Sequence, residues 1–256
     1  MRVRFVTGHR LHGCIVFFVF FIYNAVAQTA STAGGGALEQ PPPAMTAQHV
    51  IELLVSRNAG RAEALKGYRA SRTYKLDYKG FPGSKSAEMR VEVSFALGTP
   101  KQFRIVSESG SSLLINRVLK KLIEGEREAS EQSLQRTAVS PENYAFTLDR
   151  TELVAGRLCY VMNVEPRRRD KFLYKGKIWI DAQDFAVTRI EAQPAKNPSF
   201  WIKKTDITHQ YRKVGDFWLP VSNHSESSTR LGGHAVLTIE YTDYEITPAT
   251  YPAKPK

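Results

Sequence analysis

The sequence predicts an α+β fold: a large curved antiparallel sheet with two or three helices on one face. Turn signals recur between strand-like runs all the way from Tyr144 to Ile246, at spacings that suit a meander of long hairpins. Apolar residues at helical spacing occur in only two stretches, one beginning at Thr46 and one at Ser111. No helical crossover separates the strands of the second half, and parallel strands require one, which argues against parallel α/β architectures.

Composition sets the outer limits. A chain of 256 residues with 42% hydrophobic and 24% charged residues suits one domain of ordinary size with its own core, and excludes wholesale disorder. The 36 Lys and Arg outnumber 25 Asp and Glu, giving a net charge of +11. Two cysteines exclude a disulfide scaffold and a Cys-rich zinc module. No apolar run reaches the roughly 18 residues of a membrane-spanning helix, which excludes a multi-span membrane protein.

Residues 1–27 have the three parts of a secretory signal peptide: Arg2, Arg4 and Arg10, the apolar run Cys14 to Tyr23, and Ala25-Val26-Ala27. Cleavage is expected after Ala27, an uncleaved anchor being the competing reading. Three arginines and no acidic residue leave with this segment, so 33 basic face 25 acidic residues, a net +8. Cys14 leaves too, and Cys159 then has no internal partner. Export makes anionic head groups or acidic envelope polymers more natural partners for the basic chain than nucleic acid. Residues 28–44, rich in Gly and Pro, read as a flexible tether. Residues 45–250 are the expected domain and 251–256 a tail.

Within the domain, Thr46 caps an expected helix running to about Lys66, with Val50, Ile51, Leu54 and Val55 on its apolar side and Gly67 ending it. Strands are expected near Tyr68–Tyr78, Ala87–Leu97 and Gln102–Glu108. A helical insert follows from Ser111 to about Arg136, with a break near Gly125. Its apolar rows Leu114, Val118, Leu122 and Ile115, Leu119, Ile123 need a large apolar surface to lie on. Glu124, Glu126, Glu128 and Glu131 read as a solvated acidic face. About seven strands then follow, several of them apolar on both faces. In Leu158 to Val164, for instance, Tyr160, Met162 and Val164 alternate with Cys159 and Val161.

Signals for catalysis are weak. The four histidines after residue 27 form no metal-ligand spacing, no G-x-S-x-G elbow occurs, and no cofactor motif is present. The best cluster is His224-Ser225-Glu226, in which alternation puts His224 and Glu226 on one side of a strand and Ser225 on the other. Arg167-Arg168-Arg169-Asp170-Lys171 is a basic hairpin tip suited to lipid phosphates or an acidic partner, or simply to water.

The strings Gly156-Arg157-Leu158-Cys159-Tyr160-Val161, Glu165-Pro166, Lys177-Ile178-Trp179-Ile180-Asp181, Val187-Thr188-Arg189-Ile190-Glu191 and Gly215-Asp216-Phe217-Trp218-Leu219-Pro220 resemble the outer-membrane lipoprotein-sorting proteins. These are relatives of the periplasmic carrier LolA and of the sensor RseB/MucB. The resemblance covers residues 46 to 246. It implies an unclosed β-barrel whose apolar concave face lies under a helical lid, holding acyl chains in the carrier and serving regulation in the sensor. Two positions depart from the LolA pattern. Thr99 precedes Pro100 where LolA has a lid-latching arginine, and Ser109-Gly110 runs into the helix where LolA has a further hairpin.

The expected function is that of a non-enzymatic periplasmic protein, without cofactor, binding acyl chains of a lipoprotein or a phospholipid. Tyr160, Met162, Val164, Ile178 and Ile180 are the expected wall; Leu114, Val118 and Leu122 are the expected lid. The alternative is an envelope sensor module with a protein partner. Transient contact with a membrane surface is compatible with both.

Overall fold

The computed structural model describes residues 45–127, 136–170, 172–197, 200 and 202–248. The expected signal peptide, tether and tail lie outside these residues. The elements are α1 (Ala47–Ala64), β1 (Leu65–Lys79), β2 (Lys85–Ala96) and β3 (Gln102–Gly110). The helical insert follows: α2 (Ser112–Leu114), a π-helical turn (Ile115–Leu119) and α3 (Lys120–Arg127). Then come β4 (Tyr144–Val154), β5 (Arg157–Pro166), β6 (Tyr174–Asp181), β7 (Val187–Pro194), β8 (Ile202–Val214), β9 (Phe217–Thr229) and β10 (His234–Pro248). Three strands precede the insert and seven follow it, as the turn signals indicated.

All ten strands form one antiparallel, unclosed sheet in the order β3-β2-β1-β10-β9-β8-β7-β6-β5-β4. Every neighbouring pair is a hairpin except β1 and β10, which join the ends of the domain from Leu65 opposite Pro248 to Lys79 opposite His234. That pairing makes β3 and β4 the two edges, and the insert is the segment that connects one edge to the other.

Directly paired residues point to the same face of a sheet. One row can therefore be followed across all ten strands: Glu108, Met89, Tyr74, Ile239, Asn223, His209, Ile190, Ile178, Met162 and Leu148. Its eight inner members are buried. Both helical elements cover the face this row defines. The insert packs on Tyr74, Met89 and Ile239, and α1 packs on Met162, Ile178 and Ile190.

Thr46 caps α1 as expected, its hydroxyl accepting from the His49 amide at 3.2 Å. The helix ends at Ala64, however, and Gly67 lies inside β1. A Cβ on Gly67 would sit 2.7 Å from the Phe95 carbonyl oxygen, so this glycine permits close approach of β2 and does not stop a helix. Gly125 does not break the insert either, since α3 continues to Arg127. An exposed glycine there costs about 1 kcal/mol, less than burial of the neighbouring Leu122 and Ile123 returns.

The W-I-D hairpin has a physical basis. Asp181 is fully buried at the end of β6, and its carboxylate accepts from the amides of Gln183 (3.0 Å) and Asp184 (2.7 Å) and from Arg157 of the β4–β5 turn (2.5 and 2.8 Å). Burial alone would raise its pKa, but Arg157 and the two amides outweigh it and hold the carboxyl below its ordinary range. One side chain thus fixes two adjacent turns. Asp181→Ala is expected to lower stability by about 2–3 kcal/mol, because it strips partners from two part-buried amides and from the Arg157 guanidinium; urea unfolding followed by circular dichroism measures this.

Candidate functional site

The concave face carries two apolar regions with a polar strip between them. The first region comprises β1, β2, β10 and the start of β9, beneath the insert. Both insert rows bury here, Leu114, Val118 and Leu122 together with Ile115, Leu119 and Ile123, against Tyr68, Leu76, Met89 and Leu237. The π-helical turn, closed by the Lys120 amide on the Ile115 carbonyl, is wide enough to present both rows to the sheet. The second region comprises β4 to β7 beneath α1, where Val50, Ile51 and Leu54 lie on Tyr144, Met162, Val164, Ile178, Ile180 and Ile190.

The structure therefore gathers four expected wall residues, Met162, Val164, Ile178 and Ile180, into one cluster, with Tyr160 partly buried against it and stacked near Phe185 at 6.3 Å. The expected lid residues Leu114, Val118 and Leu122 gather in the other cluster. Wall and lid sit on the same face but over different strands.

Between the two regions, β8 and β9 turn polar side chains inward: Thr205, His209 and Tyr211 from β8, and Asn223, Ser225 and Ser227 from β9. Thr205 and Ser227 satisfy each other at 2.8 Å. The buried Oγ of Ser225 and Oη of Tyr211 have no hydrogen-bond partner among the described residues. Burial pulls the His209 imidazole down to about 4, so it is neutral at physiological pH. The polar members of the strip are neutral donors and acceptors, with Ile207 opposite Ser225 among them, and apolar surface flanks the strip on both sides.

The insert is held by charge as well as by packing. Arg72, inward on β1 and 1% exposed, donates to Glu126 of α3 at 2.7 and 3.2 Å; Lys101, from the β2–β3 turn, donates to the same carboxylate at 2.7 Å. The Arg72 guanidinium also lies 5.0 Å from the Tyr241 ring centroid and 5.6 Å from that of Phe103. Glu126, expected on a solvated face, is 7% exposed. Glu124 is exposed as expected, while Glu128 and Glu131 lie outside the described residues. Burial would raise the Glu126 pKa, but Arg72 and Lys101 outweigh it and bring it down to about 2. The Lys101 pKa is lowered too, to about 8, which for a cation favours the neutral form, because burial outweighs the attraction of Glu126. A further pair, Lys120 with Glu108 at 2.9 Å, ties the insert to β3.

The spacing of β1 carries a sign of this cluster. Tyr68, Ala70, Arg72, Tyr74 and Leu76 occupy one face, and an arginine in such a series needs a buried counter-charge. The buried cation that holds the insert thus stands near the middle of β1, and Thr99 before Pro100 takes no part in this cluster.

His224 and Glu226 share the outer face as alternation requires, with 3.1 Å between Nε2 and Oε1, while His224 Nδ1 meets Thr238. Both are exposed, and Ser225 points to the opposite face. The hydroxyl beside the pair is therefore that of Thr238, 3.1 Å from His224 Nδ1, and not that of Ser225. Cys159 is buried on the outer face against Val161 and Trp179, and burial raises its thiol pKa. Among the described residues no three His, Cys, Asp or Glu side chains converge on a metal position, and no helix is long and apolar enough to cross a membrane.

A family of unknown function, DUF5686, is matched over residues 134–243, the stretch from just before β4 into β10. No curated protein matches the chain. Solved structures do. A Vibrio parahaemolyticus domain assigned to outer membrane lipoprotein sorting is 15% identical, with 78% of this chain and 93% of that one covered at a TM-score of 0.42. A LolA superfamily protein of Nitrosomonas europaea is 14% identical, with 82% and 97% covered at 0.34. A DUF1329 family protein of Desulfovibrio piger is 12% identical, with 78% and 93% covered at 0.39.

Replacing Glu126 should expose the cost of the buried cations. Glu126→Gln is expected to lose about 3–5 kcal/mol, because Arg72 stays buried without its counter-charge. The folded-state pKa of Glu126 lies below its ordinary 4.5, so the stabilisation is complete above about pH 5 and is lost as pH falls toward 2. Denaturation midpoints of wild type and variant should therefore converge over that interval.

Proposed function

We propose that the chain is a periplasmic, non-enzymatic binding protein that accommodates acyl chains of a lipoprotein or phospholipid on its concave face, in the manner of outer-membrane lipoprotein sorting. The observation that carries this reading is the polar strip. A core built only for packing pairs its buried polar atoms, yet here Ser225 Oγ and Tyr211 Oη lack partners and His209 is neutral between two apolar regions. An amphiphile with uncharged ester or amide groups at the head of its chains complements that pattern. The polar groups would bond to the strip, and the chains would lie on either side.

On this reading Tyr160, Met162, Val164, Ile178 and Ile180 form the wall of one bay, uncovered when α1 shifts. Leu114, Val118 and Leu122 are the lid residues that a chain displaces from the other. Each methylene removed from water contributes about 0.8 kcal/mol, so no charged group is needed for firm binding. Residues 1–27 would direct export and be removed.

Native mass spectrometry of the protein purified from a bacterial periplasm without detergent tests the reading. A co-purified phospholipid or acylated peptide, released on mild denaturation, is expected. A chain that is empty and takes up no added lipid overturns it, and the envelope sensor module would then be the better description.

Ser225→Ala separates ligand binding from folding. Removing an unpartnered hydroxyl should leave stability unchanged or raise it by about 1 kcal/mol. Affinity for the co-purified lipid should nevertheless fall, by roughly five- to tenfold for one lost hydrogen bond.

A further inference from the structure

Four of the exposed large apolar residues, Phe81, Phe172, Phe200 and Leu231, stand at one rim of the sheet, while Leu97, Leu153 and Leu158 lie at the other. The turns β1–β2, β9–β10 and β7–β8 all lie at the end where β1 pairs with the start of β10, and they touch one another. A Cβ on Gly80 would meet the Gly233 Cα at 2.6 Å, and Arg230 of the β9–β10 turn donates to the Phe200 carbonyl at 2.7 Å while its guanidinium lies 5.0 Å from the Phe200 ring centroid. At the tips of these three turns stand Phe81, Leu231 and Phe200, exposed to 84%, 71% and 73%. The β5–β6 turn continues the rim, where the Ala195 amide bonds the Leu173 carbonyl and Phe172 is 36% exposed.

Charge follows the same line. The described residues of the tips at 79–85, 194–204 and 230–234 include Lys79, Lys85, Lys196, Lys203, Lys204 and Arg230 and no carboxylate. The β5–β6 tip has three consecutive arginines, Arg167 to Arg169, and a single Asp170 that lies 3.7 Å from Arg136 and 3.8 Å from Arg168. At the opposite rim charge is mixed: Asp181 and Asp184 pair with Arg157 and Lys213, beside Asp216 and Lys101.

We propose that this rim docks on an anionic phospholipid bilayer, the tip side chains Phe81, Leu231 and Phe200 entering the head-group layer while the lysines and arginines beside them meet lipid phosphates. Isolated apolar tips alternating with cations match a soft interface, where rings settle at head-group depth and each nearby cation adds attraction. A protein groove would instead be matched by a contiguous apolar patch. The course of α1 agrees: Arg61, near its C-terminal end, bonds the Asp184 and Phe185 carbonyls at the opposite rim, and α1 runs back about 27 Å from there, so its first residue Ala47 lies toward the basic rim. Docking on this rim is independent of what the concave face holds.

Sedimentation of the full chain, as purified after export, with vesicles of phosphatidylglycerol and phosphatidylcholine tests the proposal. Two surface variants are compared with wild type: Lys79→Glu/Lys85→Glu/Arg230→Glu, and Phe81→Ser/Phe200→Ser/Leu231→Ser. All six side chains are exposed, and unchanged melting curves confirm that both variants fold. Wild type is expected to bind the anionic vesicles with an affinity that falls as salt rises, and to bind pure phosphatidylcholine far more weakly. Each variant is expected to bind the anionic vesicles at least tenfold more weakly. Vesicle binding that is equal in the variants, or that ignores lipid charge, overturns the proposal. So does wild type that ignores vesicles and instead captures an acidic protein through the same residues. Lipid uptake measured without vesicles reads the concave face separately and should be the same in all three proteins.

Discussion

The pairing of β1 with β10 is the constraint on which the rest of the architecture depends. Every other strand contact is a hairpin closed by a short turn, and these are local. The β1–β10 ladder instead joins residues near position 70 to residues near position 240 along the full length of β1. It decides which strands are edges, and so that the insert between β3 and β4 must span the open side of the sheet. It also places Arg72 beside Tyr241, within reach of the insert. Closing so long a loop costs little more free energy than closing one half its length, because the cost grows only logarithmically, although contacts so distant in sequence slow folding.

Local periodicity was enough to find the ten strands, the α1 cap and the alternation of faces on β5 and β9, because each depends on residues a few positions apart. The β1–β10 register is not written in either strand alone, and with it went the division of the concave face into two regions. Glu126 was misread for the same reason. Its neighbours in sequence are polar, and only the arginine on a distant strand explains its burial. Ser225 was placed opposite His224 by alternation, yet alternation does not say that the inner face of β8 and β9 lies under cover, so its unpartnered hydroxyl was not legible.

The Arg72–Glu126–Lys101 cluster shows how the insert is positioned on the sheet. Three ionised groups out of water repay their desolvation only with good geometry, and the net gain over an apolar cluster of the same size is small. The two bases show the imbalance: Glu126 is held firmly in its charged form, whereas Lys101 is drawn toward neutrality. What such a cluster supplies is position. The carboxylate fits between Arg72 and Lys101 in one place, so α3 has one seat on the sheet, and leaving it strands the buried cations.

On the proposed reading, this balance bears on loading and release. Lifting the insert from β1, β2 and β10 exposes Leu114, Ile115, Val118, Leu119, Leu122 and Ile123 at about 1.5–3 kcal/mol each, and breaking the ion cluster costs about 3–5 kcal/mol more, a total of about 12–23 kcal/mol. An acyl chain with about fourteen buried methylenes returns roughly 11 kcal/mol. One chain falls short of that total, whereas two chains, at roughly 22 kcal/mol, would be near-equivalent to the insert as occupants of the same surface. Two chains would be admitted without being trapped, and the insert's return would help expel them. The polar strip then tips the exchange, because a bare hydrocarbon leaves Ser225 and Tyr211 unpaired whereas an ester or amide does not. Discrimination between a free alkyl surface and a true amphiphile would rest on those few buried hydroxyls, at about 1 kcal/mol apiece, and the apolar bays would supply strength without specificity.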